Sequence, residues 1–78
     1  MPKKDFAGCF AEVVRERRRH LKLTQESLAE KANLSWKMVS LIERCQRTPS
    51  ITVAEKIAQG LSTPLWRLVK TAEDMRKK

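Results

Sequence analysis

The chain has 78 residues and a formal charge of +8, from 17 Lys plus Arg against 9 Asp plus Glu. That length suits one domain spanning 1–78 and leaves no room for a second, and 41% hydrophobic content argues against wholesale disorder. No apolar run approaches the ~20 residues of a membrane span, and no apolar segment follows Met1–Asp5 as a secretory signal requires. Cys9 and Cys45 stand too far apart to suggest a disulfide framework, and no CxxC pair suggests zinc. A reducing cytoplasm is therefore the expected compartment.

The periodicity is helical throughout, and five short helices are expected. The first runs from about Asp5 to His20, with Phe6, Phe10, Val13 and Val14 as its apolar stripe. Arg17 falls in the middle of that stripe. Either the helix emerges from the core there, or Arg17 meets a buried acid. The second runs from Gln25 to Ala32 behind Thr24, whose hydroxyl can accept a free backbone N–H. Leu28, Ala29 and Ala32 share its inner face. Asn33 tolerates the left-handed backbone that ends a helix, and Ser35 caps the next.

The third helix is expected over Trp36–Arg44, with Met38, Val39 and Ile42 inward and Trp36, Lys37, Ser40, Leu41 and Arg44 outward. Glu43 lies at the edge of the inward face. A loop follows to Pro49, then a fourth helix to about Gln59, capped by Ser50 or Thr52 and ended by Gly60. Val53, Ala54, Ile57, Ala58 and Leu61 form its apolar face. The fifth begins at Thr63–Pro64 with the proline in its first position, and its stripe is Leu65, Leu68, Val69, Ala72 and Met75. Trp66 lies off that stripe. A basic tail closes the chain over 73–78.

Local charge is uneven. Residues 15–22 carry Arg15, Arg17, Arg18, Arg19 and Lys22 against Glu16 alone. A solvated helix face explains such a run as well as a polyanion site does. The more informative stretch is Thr24–Pro49. Two short helices are joined by a brief turn, with the small Ala29 at their crossing and a polar, cation-bearing outer face on the second. This is the pattern of a DNA-binding helix-turn-helix, whose second helix enters the major groove.

The same residues carry a family resemblance. Thr24-Gln25-x-x-Leu28-Ala29-Glu30, then Leu34-Ser35, then Val39-Ser40-x-Ile42-Glu43-Arg44, then Pro49-Ser50, resembles the phage-repressor and Cro-type (XRE-like) helix-turn-helix. Including Phe10, Val14, Arg18, Ile57-Ala58-x-x-Leu61 and Leu65-x-x-Leu68, it covers about residues 10–69. The resemblance implies an all-α, five-helix lambda-repressor-like domain that binds double-stranded DNA as a small prokaryotic or phage transcriptional regulator. It assigns Gln25 to a phosphate, with Thr24 beside it. Ser35 would cap the recognition helix, bind phosphate, or both. Trp36, Lys37, Ser40 and Leu41 would read bases or adjacent backbone, with Lys37 suited to guanine and Leu41 to a thymine methyl. Arg44 and Arg47 would hold phosphates. Glu43 would form an internal ion pair with Arg18, whereas helical stepping alone places Arg17 nearer the core.

Departures from the family pattern also stand out. The family often has glycine where this chain has Lys22, Asn33 and Cys45, so left-handed backbone there would cost the two less tolerant residues ~1–2 kcal/mol each. Trp36, Met38 and Leu41 make the recognition helix unusually apolar, so a protein-interaction module, antitoxin-like or an assembly subunit, is the alternative function. A nonspecific nucleoid binder is a weaker third. One recognition helix covers too few base pairs to select a site, so a homodimer is expected, with Trp66 and Val69 at its interface. Enzyme activity is not expected: His20 is the single histidine, and no paired carboxylates, metal cluster or phosphate loop occur. No cofactor, metal, membrane or small-molecule effector is implied. Cys45, between Arg44 and Arg47, is a minor candidate for a redox-sensitive thiol.

Overall fold

The computed structural model describes residues 5–77 and places them in five helices: α1 Phe6–His20, α2 Gln25–Ala32, α3 Trp36–Glu43, α4 Ile51–Gly60 and α5 Leu65–Arg76. Each of the first four begins with a side chain that accepts an otherwise unpaired backbone N–H. Gly8 N–H donates to Asp5 Oδ1 at 2.8 Å and Ser27 N–H to Thr24 Oγ1 at 2.9 Å. Met38 N–H donates to Ser35 Oγ and Val53 N–H to Ser50 Oγ, both at 3.1 Å. Ser50, not Thr52, is thus the cap of α4: Thr52 is an exposed residue of the first turn. Pro64 is the extended residue just before α5, not its first helical residue, and supplies no side-chain cap.

The four helices α1–α4 also end alike. Lys22, Asn33, Cys45 and Ser62 all have left-handed backbone, with φ of 60°, 56°, 60° and 56°. Past each, an N–H closes on a carbonyl five residues back: Leu23 on Arg18, Leu34 on Ala29, Gln46 on Leu41 and Thr63 on Ala58, at 2.9–3.1 Å. This is the motif that satisfies the free carbonyls of a helix end and favours glycine at the left-handed position. Here it is built four times without one. The strain expected at Lys22 and Cys45 is therefore present, and Ser62 adds a position the sequence did not flag.

The helices enclose one core. Cys9, Phe10, Val13 and Val14 of α1 meet Leu28 and Ala29 of α2, Val39 and Ile42 of α3, Ala54, Ile57 and Ala58 of α4, Leu61, and Leu68 and Ala72 of α5. α1 packs along α5, and α2 packs on both α3 and α4. Gly60 does not end α4 through a left-handed backbone; it lets α4 approach α2. A Cβ at Gly60 would lie 2.9 Å from Leu28 Cδ1 and 3.1 Å from both Ala32 Cβ and Ala32 N. Leu28 is fully buried and cannot swing away. At the other end, residues 73–76 continue α5 instead of forming a tail, and Arg76 pairs with Glu73. Lys3, Lys4 and Lys78 lie outside the described residues.

Two substitutions follow with opposite signs. Gly60→Ala should lower unfolding free energy by about 1–2 kcal/mol, the overpacking cost less the gain in helix propensity. Cys45→Gly should raise it by about 0.5–1 kcal/mol, relief of left-handed strain less the added freedom of the unfolded chain. Urea unfolding midpoints at constant slope measure both.

Candidate nucleic-acid interface

α2 and α3 form the two arms of the turn. Thr24 and Ser35, both exposed, set where each arm begins. Asn33 reverses the chain between them. Val39 and Ile42 bury the inner side of α3 to 1% exposure each. That burial turns Trp36, Lys37 and Arg44 to the outside, where all three are exposed; Ser40 and Leu41 are half-buried at the edges of the same face. Arg47 is exposed in the loop that follows. The nine residues expected at a DNA surface are thus brought to one helix-turn-helix and its flanking loop, Gln25 among them half-buried.

Glu43 is not at an edge. It is 1% exposed, and it is the one buried charged side chain among the described residues. Arg18, not Arg17, meets it through two parallel bonds: Nε to Oε2 at 2.7 Å and Nη2 to Oε1 at 3.0 Å. The third Arg18 nitrogen, Nη1, donates to the Leu23 carbonyl at 2.9 Å, just ahead of α2. Gln25 Nε2 donates to Glu43 Oε1 at 3.1 Å. Arg15 Nη1 donates to the backbone carbonyl of Glu43. One residue at the end of α3 therefore gathers groups from α1 and α2.

Arg17 has a separate task. Its Nε points to the Leu61 carbonyl at the end of α4, 3.4 Å away. Cations at Glu43 O and Leu61 O both sit where a helix presents free carbonyls and its negative dipole end. The stripe-centre position of Arg17 is explained this way, by a helix end in place of a buried acid. Sequence reasoning gave Arg15 no such role. Its signal was spacing: Arg15 and Arg18 are three apart on one helix and so reach the same neighbour.

A family model described as helix-turn-helix matches residues 14–65, two thirds of the chain. The chain belongs to that family. It is a DNA-binding transcription regulator of the phage-repressor and Cro type. An uncharacterized HTH-type transcriptional regulator from Methanothermobacter thermautotrophicus is 37% identical over 49 residues, 63% of this chain and 71% of the relative. The wild-type restriction-modification controller protein C.Esp1396I superposes with a TM-score of 0.88 at 28% identity, covering 96% of this chain and 99% of that one. The controller protein C.AhdI from Aeromonas hydrophila gives 0.76 at 32% identity, covering 80% and 94%. Among the described residues, no helix of the regulator is long and apolar enough to cross a membrane.

A second surface of the regulator is apolar. Trp66 is 61% exposed, with the Arg67 guanidinium 5.3 Å over its ring, and Val69, three residues on, is 37% exposed. Val69 lines a shallow groove of about 170 Å³ together with Phe6, Phe10, Pro49, Ile51 and Leu65. Ile51 is 83% exposed, the most exposed large apolar side chain among the described residues. The sequence reading missed it, although at 100° per residue it lies about a quarter-turn off the Ala54–Ile57–Leu61 face.

Removing one partner of the buried pair leaves the other charge stranded. Glu43→Ala should therefore cost about 3–5 kcal/mol of unfolding free energy. Glu16→Ala, an exposed acid on the same α1, should change it by no more than about 0.5 kcal/mol. Chemical denaturation followed by far-ultraviolet circular dichroism reads both.

Proposed function

We propose that this regulator binds a two-fold-related operator as a homodimer, each copy laying α3 in the major groove with α2 across the backbone. The observation that carries the reading is the outer face of α3. Its exposed Trp36, Lys37 and Arg44, with half-buried Ser40 and Leu41, stand together on a helix whose inner face is locked to the body through Glu43. In this reading Lys37 donates to a guanine edge, and Arg44 and Arg47 hold phosphates on either side of the groove. Gln25 spends one amide N–H on Glu43. Its second N–H, held in a fixed direction by that bond, serves a phosphate beside the N-terminus of α2, with Thr24 and Ser35 flanking it.

The second copy docks through α5, with Trp66 and Val69 at the interface and Ile51 and its groove extending it onto α4. A two-fold interface needs a patch that complements itself. A protruding Ile51 beside an apolar groove on the same surface supplies both halves of such a contact. The full-length likeness to restriction-modification controller proteins supports a regulator made of this five-helix unit.

Three measurements test the proposal. Dimers contacting ~6–10 phosphates lose roughly 10³–10⁵ in affinity between about 50 and 200 mM salt; a flat plot of log K against log salt rejects the DNA contacts. Lys37→Ala should lower preference for selected over random duplexes by ~1–3 kcal/mol, whereas Arg47→Ala should weaken both alike. Equal losses on both duplexes in the two variants would remove Lys37 from base reading. Sedimentation at micromolar concentration should show a dimer for the wild type, and Trp66→Ala and Ile51→Ser should each shift it towards monomer. A dimer indifferent to both substitutions would place the interface elsewhere.

A further inference from the structure

The outer side of α3 carries cationic and hydroxyl donors and two large apolar side chains, but no side-chain amide. At about 100° per residue, Trp36, Ser40, Arg44, Lys37 and Leu41 follow one another round an arc of about 140°. Trp36 is 56% exposed, and Leu41 is half-buried at the opposite edge of the arc. Arg44, at the end of the helix, turns its Nε back towards the Ser40 carbonyl at 3.4 Å. Lys37 stands between Trp36 and Leu41 with no hydrogen-bond or ion-pair partner among the described residues. No Asn or Gln stands on α3. Adenine is read directly by the paired donor and acceptor of such an amide, and α3 offers none. The apolar feature that the major groove presents is the C5-methyl of a pyrimidine.

We propose that α3 selects its site through pyrimidine C5-methyl groups, with Trp36 and Leu41 each covering one methyl on either side of a guanine held by Lys37. The inference rests on the operator reading above and specifies what that operator displays. A·T pairs are recognised from the thymine strand, and adenine is not contacted by a side chain of α3. A 5-methylcytosine carries the same group in the same place, so cytosine methylation at a covered position strengthens binding.

The test uses two random duplex pools, one with thymine and one with deoxyuridine in its place. The thymine pool should yield a consensus in which T flanks G. In the deoxyuridine pool the information at those T positions should collapse. On the selected duplex, each T replaced by deoxyuridine should lower affinity about three- to fivefold, the factor for leaving one methyl unburied. A cytosine placed at a covered position should be bound more weakly than 5-methylcytosine by a similar factor. Trp36→Ala should abolish the thymine-over-deoxyuridine preference at one position and keep it at the other, while Lys37→Ala should keep both. Trp36 is exposed, so its variant should keep the wild-type unfolding midpoint. Equal affinity for thymine and deoxyuridine duplexes, or the same consensus from both pools, overturns the proposal. Failure to select a consensus from either pool overturns the operator reading itself, and so is told apart from failure of methyl recognition.

Discussion

A carboxylate is held out of water where α1, α2 and α3 converge, and the orientation of the recognition helix depends on it. Glu43 is 1% exposed and Arg18 12%, and the two meet in a bidentate pair. Such a pair is a weak source of stability, because desolvating both ions offsets most of their attraction. Its geometry is what matters. Both oxygens of Glu43 are committed: Oε2 to Arg18, Oε1 to Arg18 and Gln25. No buried side-chain polar atom among the described residues lacks a partner. An apolar contact at the same place would let α3 slide or rotate, since dispersion has no direction; two parallel hydrogen bonds do not.

The pair also changes how the basic run of α1 is understood. Arg15, Arg17 and Arg18 look like a cationic face in the sequence. In the fold they hold the ends of α3 and α4 and the entry to α2. In the proposed reading the attraction for DNA rests more on Lys37, Arg44 and Arg47, whose side chains are exposed around α3. The apolar patch of Ile51, Trp66 and Val69 lies on α4 and α5. DNA and partner would thus be met by different helices, and a regulator can change its affinity for one without rebuilding the surface for the other.

Local chemistry was the legible part of the sequence. Thr24 and Ser35 announced α2 and α3 because a cap is a contact between near neighbours, and the bounds of these two helices agreed to within a residue. Ser50 against Thr52 could not be settled locally, since either hydroxyl can cap; the backbone chose Ser50. Gly60 was legible as special but for the wrong reason, because its closeness to Leu28 and Ala32 is a property of two helices. Stepping round an isolated α1 put Arg17 nearest the core axis, and it does point along it, but the neighbour there is the end of α4. Family resemblance supplied Arg18 where periodicity did not. The burial of Glu43 and the Gln25 bond to it depend on where other helices sit, and no single-helix pattern carries that; the exposure of Ile51 was legible in the stepping round α4 alone.

The most direct measurement is DNA preference in the double variant Arg18→Met, Glu43→Leu, which replaces the ion pair by apolar side chains. If the pair serves orientation, the variant unfolds at or above the wild-type urea midpoint. Its preference for the selected operator over random duplex falls by roughly tenfold or more, because misplacing α3 forfeits at least one base contact worth ~1–3 kcal/mol. A variant that folds as well and keeps full operator preference would contradict the claim that the Arg18–Glu43 tie sets the pose of the recognition helix.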